Sequence, residues 1–412
     1  MIYKSSNGAR LELSAFLVAA AACSLPATAR AQANEPRITL DVSLGGTADS
    51  NPFLLTNGES AASATVKVEP KVVWENESSS AIIESSFRLS QYTNQYGRDE
   101  AVRIGAQART QLDERTSIST RAGFQSSRST LQDSFFLSSS DPFDPGFIPE
   151  VPLTDVTVAG RRVRVNTFDA SAGIDHVLSP SNSISFSAVT SYSKFSDGVG
   201  SDYRTGYGNL QYSHRLSERT SVSASVNAGV ADYIGRSAGD ATIVSPQFGV
   251  QHQLSERISL NASAGVSYAS IDDGLGDRNG STYASGRFSL CDRGVRSSFC
   301  GSLSRSAEPT ALGGISAVTS AALNYDLKLS LKDRFSISGR YGRTDRSSDP
   351  LFSTVQGKSE IYGAQIVYTR YISDRVSFDI MPSLTKIYEP LADRDPNYSI
   401  MASVKIRLGK LR

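Results

Sequence analysis

The sequence predicts an all-β chain, a transmembrane antiparallel up-and-down β-barrel of about 18 strands, with 16 as the alternative count. Three observations predict it: apolar and polar side chains alternate along most of the chain, a tight turn recurs at even spacing, and the first residues form an export leader.

Ile258 to Tyr268 reads apolar and small-polar in strict turn, as do Val222 to Val230, Ile38 to Leu44, Val102 to Leu112 and Tyr398 to Leu408. A period of two belongs to a strand with one apolar and one polar face. A strand that crosses a bilayer within a barrel needs about 9–11 residues, and its faces meet lipid and lumen. Beyond residue 33 no run approaches the ~20 consecutive apolar residues of a membrane helix. A hydrophobic content of 39% also suits disorder, but disorder does not predict periodicity.

The turns carry more weight than the strands. Leu112-Asp113-Glu114-Arg115-Thr116-Ser117, Leu216-Ser217-Glu218-Arg219-Thr220-Ser221 and Leu254-Ser255-Glu256-Arg257-Ile258-Ser259 are near copies, and Leu331 to Ser336 and Ile372 to Ser377 follow the same plan. Looser versions lie at Glu75 to Ser79, Leu178 to Ser183 and Asp292 to Arg296. With markers at positions 77, 114, 181, 218, 256, 293, 333 and 374, the intervals are 37, 67, 37, 38, 37, 40 and 41 residues. Each ordinary interval holds two strands, one tight turn and one longer loop. The long one holds an insertion at 131–160. A strand before the first pair (Ile38 to Gly46) and one after the last (Tyr398 to Leu408) leave both termini on the tight-turn side, which in outer-membrane barrels is the periplasm. Propeller blades would show four short strands per repeat, and here there are two long ones.

Residues 1–33 read as a cleaved signal peptide and 34–412 as the barrel. Lys4 and Arg10 precede the apolar run Leu13 to Ala22, Pro26 breaks it, and Ala29-Arg30-Ala31 or Ala31-Gln32-Ala33 offers a cleavage site. A degenerate lipidation box before Cys23 is the competing reading.

Parity assigns Leu323, Tyr325, Leu327 and Leu329, and Tyr362, Ala364, Ile366 and Tyr368, to the lipid face, with tyrosines near strand ends expected at the headgroup layer. The same count gives a lumen with 13 cations: Lys67, Lys71, Arg88, Arg103, Arg109, Arg121, Arg164, Arg215, Arg287, Lys328, Arg340, Lys405 and Arg407. Its 7 anions are Asp41, Glu69, Glu84, Asp169, Asp175, Asp326 and Asp379. Either this is the polar lining any wet barrel needs, or the excess marks an anion-favouring pore. The insertion, with Asp141-Pro142-Phe143-Asp144-Pro145-Gly146, is either a constriction folded into the lumen or a surface loop.

Catalysis is not expected. His176, His214 and His252 are 38 residues apart, each two before the Leu that opens a turn, so they are one repeated rim position and not a converging set. No metal site or cofactor is expected, and turn chemistry accounts for the Asp272 to Gly280 loop as well as calcium binding would. Cys291 and Cys300 flank one tight turn on the same face, so a disulfide is the expectation in an oxidising compartment. The balance of 42 Lys+Arg against 41 Asp+Glu gives no whole-chain attraction to nucleic acid.

The leader, the Asp49-Ser50-Asn51-Pro52 segment after the first strand and the repeated [Asp/Glu]-Arg-x-Ser turns carry a resemblance over the whole mature region. The chain resembles the β-barrel porins encoded beside bacterial exopolysaccharide export systems, and is similar in strand number and basic lumen to 18-stranded exporters of acidic polysaccharide. That resemblance implies a Gram-negative outer-membrane conduit for an acidic exopolysaccharide or another anionic solute. Its implied partners are outer-membrane lipids, the barrel assembly machinery and periplasmic export components. A general diffusion porin and a non-conducting adhesin or scaffold barrel are the alternatives. One feature departs from the pattern: the chain ends Lys410-Leu411-Arg412 and not on an aromatic residue.

Overall fold

The computed structural model describes residues 35–128, 162–196, 201–235, 239–272, 278–311, 313–345, 358–389 and 394–409. The leader at 1–33, Cys23, the insertion at 131–160 and the last three residues lie outside them. Alternation resolves into strands β1 (Arg37–Asp49), β2 (Ala61–Glu75), β3 (Ser79–Tyr92), β4 (Arg98–Gln111), β5 (Thr116–Arg128) and β6 (Arg164–Ser179). There follow β7 (Asn182–Phe195), β8 (Tyr203–Ser217), β9 (Thr220–Tyr233), β10 (Ala241–Gln253), β11 (Ile258–Asp272) and β12 (Arg278–Arg293). The last are β13 (Ser297–Pro309), β14 (Ile315–Lys328), β15 (Asp333–Thr344), β16 (Ser359–Ser373), β17 (Val376–Tyr388) and β18 (Asn397–Gly409).

Each strand pairs antiparallel with its neighbours in sequence, and β1 also pairs with β18 from Thr39↔Gly409 to Asp49↔Ser399, so the 18-stranded sheet closes. Closure removes the unpaired edges that an isolated sheet would present. The outward face is apolar: Leu44, Phe87, Phe168, Leu210, Phe248, Val266 and Ile400 are all exposed. A face this greasy over an entire barrel has lipid as its solvent, and no described helix is long and apolar enough to cross a membrane.

The repeated turns have a structural reason. In each, a backbone carbonyl just before the second strand accepts an N–H from the hairpin that follows. Arg115 O takes the Val177 N–H (2.8 Å), Arg219 O takes Gln253, Arg257 O takes Arg293 and Arg375 O takes Arg407. Ser78, Ser181, Arg296 and Lys332 do the same for Gln111, Arg215, Lys328 and Tyr371. A backbone donor that the strand ladder leaves over is thereby satisfied around the rim. Cys291 and Cys300 face one another across β12 and β13 and are joined by a disulfide.

Strands run to 12–16 residues, longer than the about 9–11 a bilayer needs. The surplus lies at the rim opposite the tight turns, where the barrel changes character.

Candidate functional site

Below that rim the inward face is polar. Lys67 and Lys71 (β2), Arg88 (β3), Arg103 and Arg109 (β4), Arg121 (β5), Arg287 (β12), Lys328 (β14) and Arg340 (β15) hold the parity opposite the exposed apolar residues. Register gathers the first six on one wall: Lys67↔Arg88, Ser86↔Arg103, Gln107↔Arg121 and Arg109↔Ser119. Some are neutralised there, Lys67 by Glu69 at 2.7 Å and Arg88 by the buried Asp99 at 2.8 Å. Arg103 and Arg121 have no carboxylate within ion-pairing distance among the described residues. Arg287, Lys328 and Arg340 lie on strands across the barrel from these and do not join them. There the lining is mainly hydroxyl, with Ser245 bonded to Ser267 at 2.7 Å and Ser304 to Ser320 at 2.6 Å.

Arg164 is a correction. It pairs with Arg128 and shares parity with the half-exposed Phe168, so it points outward, where it holds Glu100 at 3.2 Å and Ser126 at 3.1 Å. Flanking Val163 and Val165 suggest the opposite phase in sequence. They are apolar because they face the inside of the mouth, where Val163 packs with Phe195 and Ala311.

The tyrosines near strand ends divide between two places. Tyr212, Tyr268, Tyr362, Tyr388 and Tyr398 are exposed on the outward face, whereas Tyr92, Tyr203, Tyr207, Tyr233 and Tyr283 carry inward parity near the loop ends. Tyr203, Tyr207, Tyr233 and Tyr283 serve a corner between β13 and β14 that bends into the barrel. Gly313 and Gly314 adopt φ of 103° and 72°, a conformation that a Cβ disfavours, and so turn the chain inward. The Tyr233 hydroxyl lies 2.8 Å from the carbonyl oxygens of both Thr310 and Gly314 and accepts the Thr310 N–H at 3.1 Å. Ala311 O accepts the Ser201 N–H at 2.7 Å. Ile315 is fully buried against Ala231, Ile243, Ala269 and Ile271, with Tyr207 and Tyr283 alongside. Asp240, just before β10, accepts the Tyr233 N–H at 2.8 Å. Burial raises its carboxyl above the ordinary 3.8, that hydrogen bond lowers it, and Asp232 and Asp272 raise it again.

On the other side of the mouth the loop after β1 also turns in. Asn51 is buried; its Oδ1 accepts the Leu55 N–H (3.0 Å) and its Nδ2 donates to Leu55 O and Asp395 O. Its own N–H donates to Asn397 Oδ1, while Asn397 Nδ2 donates to Asp49 Oδ1. The Asp49-Ser50-Asn51-Pro52 segment is therefore a knot between the first and last strands. Phe53 packs in a tilted arrangement against Tyr92 and Tyr96 at centroid distances of 5.4 and 5.2 Å, and the Arg162 guanidinium lies over the Phe53 ring at 4.5 Å. Leu54 takes a φ of 51°, and Arg394 donates to its carbonyl at 2.9 Å.

The three histidines, expected as one repeated rim position, lie on outward parity beside the tight turns. Each has a partner on the adjoining strand: Thr116 for His176, Asn182 for His214 and Thr220 for His252. The mouth was readable only as lost alternation, for example Thr242-Ile243-Val244, where neither face is clearly polar.

A closed 18-stranded barrel with an apolar exterior, a charged and hydroxyl-lined interior and loops folded into one end is the architecture of a membrane-spanning pore. No family model matches the chain, and no curated protein does. Among solved structures it is similar to Pseudomonas aeruginosa OpdL, with 11% identity over 92% of this chain and 99% of that one, TM-score 0.44. It is similar to P. aeruginosa OccK2 (OpdF) in complex with glucuronate, with 10% identity over 92% and 99%, TM-score 0.46. It is also similar to the FrpB iron transporter of Neisseria meningitidis, with 8% identity over 90% and 82%, TM-score 0.45. At this level of likeness nothing follows about solute or partners.

Proposed function

We propose that the chain is an outer-membrane channel for small hydrophilic solutes, diffusing through a lumen that favours anions. The observation that carries this reading is the basic wall of β2 to β5, in which Arg103 and Arg121 have no carboxylate partner among the described residues. Fixed charge in a confined aqueous pore raises the local concentration of counter-ions. Barrels of 16–18 strands are wide enough to leave such a channel. The tight turns and both termini would face the periplasm.

A conduit for an acidic polysaccharide is supported less well. Exposed aromatics along the lumen would favour a sugar polymer, and Tyr203, Tyr207, Tyr233 and Tyr283 are instead packed against the corner between β13 and β14. That corner narrows the mouth, which suits solutes of modest size.

The test is electrical. In planar bilayers at low salt, the reversal potential across a KCl gradient should indicate anion preference, fading as the Debye length falls from ~30 Å at 0.01 M to ~10 Å at 0.1 M. Arg103→Glu with Arg121→Glu should move it toward cations. An unmoved reversal potential overturns the anion reading, and a silent bilayer overturns the channel.

A further inference from the structure

At the loop-side rim the outward face, apolar across the middle of the barrel, becomes basic. Arg98 (β4), Arg128 (β5), Arg164 (β6), Lys194 (β7) and Arg204 (β8) share the outward parity of Ile104, Phe124, Phe168, Phe186 and Leu210 respectively. Register sets them side by side. Arg128 lies directly opposite Arg164; Asn166, two residues further along, lies opposite Lys194; and Tyr192, two residues before Lys194, lies opposite Arg204.

The described residues do not neutralise this arc. Glu100 serves both Arg164 (3.2 Å) and Arg98 (3.7 Å), and Asp232 pairs with Arg204. The Asp202 carboxylate is engaged by the Phe195 N–H at 2.9 Å. Five cations thus face three carboxylates, and Arg128 and Lys194 have no ion-pair partner among the described residues. Like charges directly opposite on neighbouring strands are destabilising, so the Arg128–Arg164 pair calls for an external anion.

The surface beneath identifies the source of that anion. Phe124, Phe168 and Tyr192 form a continuous aromatic run, with centroids 4.7 and 6.3 Å apart. Aromatic belts sit at the boundary between hydrocarbon and headgroups. Arg128 and Arg164 lie four residues further out on the same strands as Phe124 and Phe168, about 13 Å at ~3.3 Å per residue. Arginine and lysine chains of this length bend back toward such a boundary while keeping the charge in water. That is the level of lipid phosphates.

We propose that this arc binds the phosphate groups of lipid headgroups in the outer leaflet, with Arg128, Arg164 and Lys194 as principal donors. The inference rests on the reading of the chain as an outer-membrane barrel. It accounts for an Arg–Arg pair for which the described residues supply one shared carboxylate, Glu100.

The full chain in zwitterionic detergent, offered diphosphoryl lipid A or its dephosphorylated form, should retain the phosphorylated lipid in native mass spectra. Arg128→Gln, Arg164→Gln and Lys194→Gln together should weaken retention about tenfold or more, since three charge-assisted contacts are lost. Arg219→Gln, a cation removed from the opposite rim, should leave it unchanged. Should the triple variant lose its heat-dependent shift in gel mobility, Lys194→Gln alone is measured, because that side chain is exposed and has no described partner. Equal retention of both lipids, or no loss in the variants, overturns the inference. Displacement of the lipid by equimolar inorganic phosphate also overturns it, since the site would then belong to a free anion. A chain that does not insert into vesicles overturns the channel reading as well, whereas insertion without lipid preference overturns this inference alone.

Discussion

The hydroxyl of Tyr233 lies 2.8 Å from the carbonyl oxygen of Gly314, joining the end of β9 to a corner built by β13 and β14. Three strands separate β9 from β13, so this bond spans part of the mouth and is not made within the sheet. It ties that corner to the barrel wall at β9.

Tyr233→Phe keeps the ring and removes the hydroxyl, leaving the Thr310 and Gly314 carbonyls and the Thr310 N–H without this partner. Orphaning buried groups costs about 1–3 kcal/mol, enough to populate an outward corner. Single-channel conductance should rise and residues 309–315 should become open to protease. Unchanged conductance and protection would mean that apolar packing of Ile315 alone holds the corner.

Acid should close the mouth. Burial is the largest influence on Asp240 and raises its carboxyl above 3.8, so the protonated form favours the packed mouth over one in which the group is exposed. The extra stability is fully present below 3.8 and is lost as pH rises through the raised value. Conductance should therefore fall on acidification across that window, and Asp240→Asn should flatten the profile at the low-conductance level. A wild-type conductance that rises in acid refutes the assignment.

The Cys291–Cys300 bond closes a short loop, with a sequence separation of 9. By loop entropy it is worth about 2–3 kcal/mol. Reductant, or Cys300→Ser, should lower the temperature at which gel mobility shifts without changing conductance. Non-reduced digests should yield the two peptides joined; free alkylated thiols in fresh membranes would contradict the bond.

Asn51 is nearly inaccessible at 1% exposure and spends both ends of its side chain on backbone. Asn51→Ala leaves the Leu55 and Asp395 groups unsatisfied, a loss of about 1–3 kcal/mol, and should loosen the loop between β1 and β2. Limited proteolysis should nick within 50–60 in the variant and not in wild type. Asn51→Asp, which keeps the acceptor and loses the donor, should fall between them.

The sequence by itself determined the barrel. Strand number, hairpin order, the lipid-facing residues and the Cys291–Cys300 juxtaposition follow from a two-residue period and a repeated turn, both local properties of the chain. Even the even count was legible, because five of the eight tight turns share one [Asp/Glu]-Arg plan and the other three fall at the same spacing. Only the tertiary structure decided the mouth. There the usual rule inverts: Val163, Ile243, Ile361 and Ile387 point inward and are buried, while Arg128, Arg164 and Arg204 point outward. Alternation reports that the two faces differ, but not which solvent each one meets. Near the membrane centre lipid settles that question for every strand. Beyond the bilayer it depends on which loops fold inside, and such contacts join residues as distant in the chain as Tyr233 and Gly314 or Asn51 and Asp395. Arg164 was misplaced for this reason, since its valine neighbours are apolar toward the mouth and not toward lipid.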